Sequence, residues 1–139
     1  MPDLKPELSQ KNKYWIPKHR YYELKHYCLQ YPYWKKLYAS IDLELRAHTD
    51  KEIKASDICR ANEDLIVKRA VLGSAMKLVE KCCVDCTDVE VLQSYIFKAI
   101  TEGLPYYRLK TQYDIPCGKD MYYEAYRKFF FILSQRRSL

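Results

Sequence analysis

Glycine is scarce in this chain, with 3 among 139 residues. The apolar residues fall mostly at helical spacing and rarely alternate, and both facts favour an all-α fold over a sheet. No apolar run approaches the roughly 18 residues that a membrane span needs. The first residues, Met1-Pro2-Asp3-Leu4-Lys5-Pro6-Glu7, lack the apolar core of a secretory leader, so a cytoplasmic protein without a membrane partner is expected. Also missing are a glycine-rich phosphate loop, a recognisable metal-ligand set and a Ser/His/Asp order. His19 and His26 lie seven apart on one predicted helix with no cysteine or carboxylate placed to complete a site. The chain is therefore not read as an enzyme, and neither a cofactor nor a metal is expected.

Six cysteines are present: Cys28, Cys59, Cys82, Cys83, Cys86 and Cys117. Without a leader they read as free thiols. Cys83-Val84-Asp85-Cys86 has the C-x-x-C spacing of a zinc or redox site, but no second pair follows and no βαβ pattern surrounds it. Tyrosine is abundant, with 14 residues. Each can pack a ring into a core while its hydroxyl reaches water or phosphate.

The net charge of +6 is unevenly spread. Residues 1–36 carry 8 Lys/Arg against 3 Asp/Glu, residues 37–103 carry 9 against 12, and residues 104–139 carry 7 against 3. Basic ends around an acidic middle suit contact with phosphates at the ends, where each contact releases condensed counterions.

Residues 1–13 are polar, hold two prolines and read as a flexible arm. A helix is expected from Lys18 to Gln30, with Tyr21, Leu24, Tyr27 and Cys28 inward. The next runs from Pro32 to Ala47, with Trp34, Leu37, Tyr38, Ile41 and Leu45 on one face. His48 to Ala61 reads as a loop with room for a short helical turn, and Asn62 as the N-cap of a long helix from Glu63 to Cys83. Thr87-Asp88-Val89-Glu90 matches a capping box. Val89, Leu92, Ile96 and Ala99 follow at helical spacing until Gly103 stops the helix. This divides the chain into the arm (1–13), an N-terminal helical part (14–87) and a C-terminal part (88–139).

The C-terminal part supplies three consecutive helices, at 88–102, 105–112 and 119–135. Asp114-Ile115-Pro116 ends the middle one, since proline disfavours helical geometry at the residue before it, and Gly118 permits the turn. A short helix, a tight connection and a longer helix make the order of a helix-turn-helix. On the last helix Tyr122, Tyr126, Phe129 and Leu133, flanked by Met121, Ala125 and Phe130, are expected in the core. Lys119, Asp120, Tyr123, Glu124, Arg127 and Lys128 are expected on the outer side.

The segment Tyr106-Tyr107-Arg108-Leu109, Ile115-Pro116-Cys117-Gly118-Lys119-Asp120-Met121-Tyr122-Tyr123 and Arg127-Lys128-Phe129-Phe130 resembles the C-terminal part of phage-encoded transcriptional regulators of the ArpU/RinA type. The resemblance implies a helix-turn-helix similar to sigma-factor region 4 and a role in controlling phage genes in a bacterial host. Cys117-Gly118 departs from the serine or similar turn residue more usual there. The resemblance does not extend to the N-terminal 60 residues.

The expected function is thus a phage or prophage DNA-binding transcriptional regulator. Lys119, Asp120, Tyr123 and Arg127 would meet the groove of double-stranded DNA, while Arg108, Lys110, Lys128, Arg136 and Arg137 would meet phosphates. Such readers commonly act as homo-oligomers on paired half-sites. The alternative is a small phage helical protein that binds a host or phage protein, as a packaging or assembly factor or as an inhibitor of a host defence nuclease. Ile16-Pro17 with Tyr21-Tyr22-Glu23 echoes Ile115-Pro116 with Tyr122-Tyr123-Glu124, which in so tyrosine-rich a chain is read as coincidence. It nevertheless draws attention to a second basic, aromatic surface: Trp15, Lys18, Arg20, Tyr22, Lys25 and Trp34.

Overall fold

The computed structural model describes residues 11–49 and 55–137, with side chains from 62 onward in the second stretch. Among the described residues there are six α-helices and no strand, so the chain is all-α as the periodicity required. The helices are α1 (Lys18–Leu29), α2 (Tyr31–Thr49), α3 (Ala55–Asp85), α4 (Glu90–Glu102), α5 (Tyr106–Tyr113) and α6 (Lys119–Arg136). Within the arm expected at 1–13, residues 1–10 lie outside the described residues. Residues 11–14 form a turn in which the Tyr14 N–H donates to Asn12 Oδ1 at 2.8 Å.

Two compact units divide these elements. One contains residues 1–30 and 78–139, and the other residues 31–77. The boundary expected at 87/88 coincides with neither edge, because α1 packs on α4 and α6 rather than grouping with its sequence neighbours. In the first unit α1 buries Tyr21, Leu24 and Cys28. Opposite them, α6 buries seven side chains, from Tyr122 to Leu133. Tyr21 and Tyr126 hydroxyls meet at 2.7 Å inside this core, and the Tyr21 ring meets Phe130 edge-on at 5.1 Å. Such pairing of the polar tips is what allows tyrosine to fill a core.

The second unit comprises α2 and the N-terminal part of α3, as far as Lys77. Arg69 of α3 donates to Asp42 of α2 at 2.6 Å and lies 4.6 Å over the Tyr38 ring. His48 Nδ1 meets Asn62 Oδ1 at 2.9 Å. Asn62 is therefore an interior residue of α3 and not its N-cap. The helix begins at Ala55, so the break expected from His48 to Ala61 is shorter than foreseen, and 50–54 of it lie outside the described residues. Ser56-Asp57, read as loop chemistry, fall within the helix.

The capping box at Thr87 does not form. Helix α4 starts at Glu90 with Val89 at its N-cap, and Thr87 Oγ1 accepts from the Val89 N–H at 3.3 Å. Gln93 closes the turn instead, its side-chain amide donating to the carbonyls of Thr87 at 2.7 Å and Val84 at 3.2 Å. Gly103 ends α4 as foreseen, at φ 71°, with its N–H on the Ala99 carbonyl at 2.9 Å.

Candidate nucleic-acid interface

The connection between α5 and α6 is built from local sequence. Asp114 takes the left-handed conformation (φ 50°, ψ 54°), which short polar side chains tolerate best after glycine. Its successor Ile115 returns an N–H to the Leu109 carbonyl at 3.2 Å and is fully buried. The Tyr106 hydroxyl donates to the Cys117 carbonyl at 2.9 Å. The Tyr106 ring lies 5.1 Å from Tyr122 and 6.1 Å from Tyr123. Gly118 then caps α6 with extended backbone, and Asp120 sits in the first turn, where a carboxylate suits the helix dipole. Helices α4, α5 and α6 contact one another in this arrangement through Tyr106 and the α4·α5 and α4·α6 packing.

This geometry fixes what α6 can present. Its outward strip begins with Lys119, Asp120, Met121 and Glu124, all exposed, and continues with Arg127 and Lys128, both half-buried. Tyr123, expected among them, is 6 % exposed. It packs against Tyr106, Tyr122 and Tyr126, so it is a core ring that cannot reach a base edge. Met121, expected inward, lies outside instead. Both corrections share one cause. Helix α6 is gripped by α1 on one side and by Tyr106 on the other, so its buried arc is rotated and broadened relative to a single stripe.

The chain before α1 shapes the other edge of the strip. Tyr14 packs on Phe131 with ring centroids 5.6 Å apart. A cleft of about 410 Å³ opens between Asn12, Lys13 and Tyr14 and the α6 residues Lys119, Asp120, Glu124 and Arg127, with Tyr123 in its wall. Three cations and two carboxylates thus line one concave surface. The contribution of residues 12–14 was not foreseen, because a short polar segment carries no periodic signal.

The remaining expected contacts separate into two groups. Arg108 and Lys110 are exposed on α5 and available to solvent. Arg136 and Arg137 are engaged within the protein. Arg136 donates to Asp85 at 2.6 Å, which holds that carboxyl below its usual range. Arg137 lies 4.1 Å over the Tyr27 ring and 3.4 Å from Glu23. Both thus have partners within the protein while remaining partly exposed.

The second aromatic surface is likewise dispersed. Arg20, with a side chain only 15 % exposed, donates to the Ser134 hydroxyl at 3.2 Å, to the Ser134 carbonyl at 3.1 Å and to the Arg137 carbonyl. Trp34 is buried and belongs to the other unit. Trp15, Tyr22 and Lys25 are half-buried, and of the six residues Lys18 alone is fully on the surface.

The thiols Cys28, Cys82, Cys83 and Cys86 are buried and free. Burial pushes all four upward, that of Cys86 to about 12. The Cys86 thiol donates to the Cys83 carbonyl at 3.2 Å, which closes a helical turn inside the core. Among the described residues no group of three or more His, Cys, Asp or Glu is placed to hold a metal ion. No described helix is long and apolar enough to cross a membrane.

No model of a known protein family matches the chain, and neither the curated proteins nor the solved structures yield a match.

Proposed function

We propose that the chain is a phage or prophage transcriptional regulator that reads duplex DNA in the cytoplasm of its bacterial host. Its helix-turn-helix comprises α5, the turn at 114–118 and α6. The observation that carries the reading is the solvent-exposed start of α6 at the end of a tight turn braced by Ile115 and Tyr106. A recognition helix needs that exposure at its N-terminal turns. Lys119, Asp120 and Arg127 are the groove-facing residues, with Tyr123 removed from the set. Arg108, Lys110 and Lys128 are the phosphate contacts, joined by Lys13 across the cleft. The similarity of the turn and its flanks to ArpU/RinA-type regulators supports the same assignment.

Selection of duplexes from a random pool, followed by binding measurements at several salt concentrations, tests this reading. Lys119→Ala or Arg127→Ala should weaken binding on the order of tenfold or more, and affinity should fall steeply with salt. Arg136→Ala should leave affinity unchanged. Binding that ignores salt, or survives both substitutions at Lys119 and Arg127, defeats the proposal.

One observation favours a second reading. Asp120 and Glu124 place two carboxylates, and Met121 an apolar side chain, on the strip that would meet DNA. A mixed strip beside a cleft also suits a protein ligand, as in a packaging or assembly factor or an inhibitor of a host defence nuclease. A partner retained from host lysate after nuclease treatment, and lost on Glu124→Lys, would select this reading over the first.

A further inference from the structure

Among the described residues, one face of α3 in the second compact unit has no covering element. Its inner side is accounted for: Asn62 meets His48, Arg69 meets Asp42, and Gly73 lies against Tyr38. About a third of a turn around the helix runs a different face, with Glu63, Val67, Ala70, Ser74 and Lys77 at spacings of four, three, four and three. That is the seam spacing of a two-helix contact. Val71 flanks it. Val67 and Val71 are 62 % and 64 % exposed, whereas Ile66 lines a cleft with Leu45 and Arg46 of α2. β-Branched side chains weaken a solvated helix, because they lose rotamer freedom there. Two side by side on the outside are not explained by the stability of α3 alone.

The charges on this face identify the occupant. Glu63 stands seven residues before Ala70 and Lys77 seven after it, and all three are exposed. The face is therefore self-complementary under an antiparallel two-fold axis near Ala70. Such an axis sets Glu63 of each copy beside Lys77 of the other, Val67 beside the opposing Ser74, and Ala70 against Ala70. A parallel pairing would instead oppose Glu63 to Glu63 and Lys77 to Lys77, which disfavours it. Ala70 and Ser74 are small, so the two helix axes can approach closely at the crossing. We infer that a second copy of this chain docks on this face and that the protein is a homodimer joined through α3, antiparallel to its counterpart. This interface is independent of the α6 strip and stands whether or not that strip binds DNA.

The test is sedimentation equilibrium of the full chain from about 1 to 100 μM, with circular dichroism confirming unchanged helicity in every variant. The wild-type chain should reversibly dimerise. Glu63→Lys or Lys77→Glu alone should weaken dimerisation roughly tenfold, since each dimer loses two ion pairs and gains two like-charge contacts. The double exchange E63K/K77E should restore it. An equimolar mixture of the two single variants should form a heterodimer more strongly than either variant pairs with itself. Val67→Asp should abolish association while helicity is kept. A wild-type chain that remains monomeric across the range overturns the inference, as does a dimer indifferent to the single exchanges or a double exchange no better than either single one.

Discussion

The chain's three glycines occupy three different physical situations, so replacing each with alanine should give three different outcomes. At Gly103 the backbone is left-handed, at φ 71°, and an added Cβ would sit 3.3 Å from Leu29 Cδ2 on α1. The conformational cost to an L-residue is about 1 kcal/mol or more, and the close approach adds to it because Leu29 must give way. A loss of about 1–2 kcal/mol corresponds to a drop of roughly 4–8 °C in Tm for a chain of this size. At Gly73, inside α3, the added carbon meets Tyr38 Cε2 at 3.5 Å, an ordinary contact. Helix propensity then dominates and should stabilise by up to about 1 kcal/mol. At Gly118, with φ −75°, nothing lies within 4 Å, and the change should stay within about 0.5 kcal/mol of native. Thermal melts of the three variants by circular dichroism give the order directly. Should Gly103→Ala melt with the native protein, or Gly73→Ala melt below it, the reasoning from φ and contact distance fails.

Alkaline pH provides another check. Burial raises the thiols of Cys28, Cys82, Cys83 and Cys86 in the folded chain, whereas in the unfolded chain they ionise near their ordinary value of 9.0. A raised thiol contributes stability that is complete below that value and is lost as pH climbs through the folded-state values, toward about 12 for Cys86. Each thiol should cost about 1.4 kcal/mol per pH unit in that window, read as denaturant midpoints at pH 8 and 10; equal midpoints would contradict it. Arg20→Met should destabilise by about 1.5–3 kcal/mol, because charge-assisted hydrogen bonds to Ser134 and the Arg137 carbonyl are lost from a mostly covered site. A surface arginine would give less than 0.5 kcal/mol in the same urea titration.

The helices were legible where periodicity and punctuation agreed. Pro17 before α1, Gly103 after α4 and the Asp114–Gly118 turn each fall where local backbone chemistry leaves little choice. The start of α3 was not, since Ser, Asp and Asn serve loops and helix ends alike and only packing decides between them. The site was legible in part. Lys119, Asp120 and Arg127 share one strip as the spacing implied, but Tyr123 turned inward. A tyrosine carries both an apolar ring and a polar tip, so its type does not reveal its direction. The internal partners of Arg136 and Arg20 were illegible for another reason: Asp85 and Ser134 lie 51 and 114 residues away along the chain. No local pattern encodes so distant a pairing.

The Arg20 contacts with the end of α6 also bear on synthesis. The unit they close is discontinuous in sequence, its first 30 residues separated from the remainder by the segment 31–77. As the chain emerges from a ribosome, α1 is made before its partners on α6, with the whole of residues 31–77 between them. Tyr21 and Leu24 must therefore wait, uncovered by α6, until that helix has been made. Native closure of this unit joins elements far apart in sequence, which is entropically tolerable but slow. A premature stop that removed only Ser134 onward would strip Arg20 of its acceptors. The codons for the end of α6 thus govern whether α1 is sheltered, and nascent chains stalled short of them would be natural substrates for chaperones and proteases.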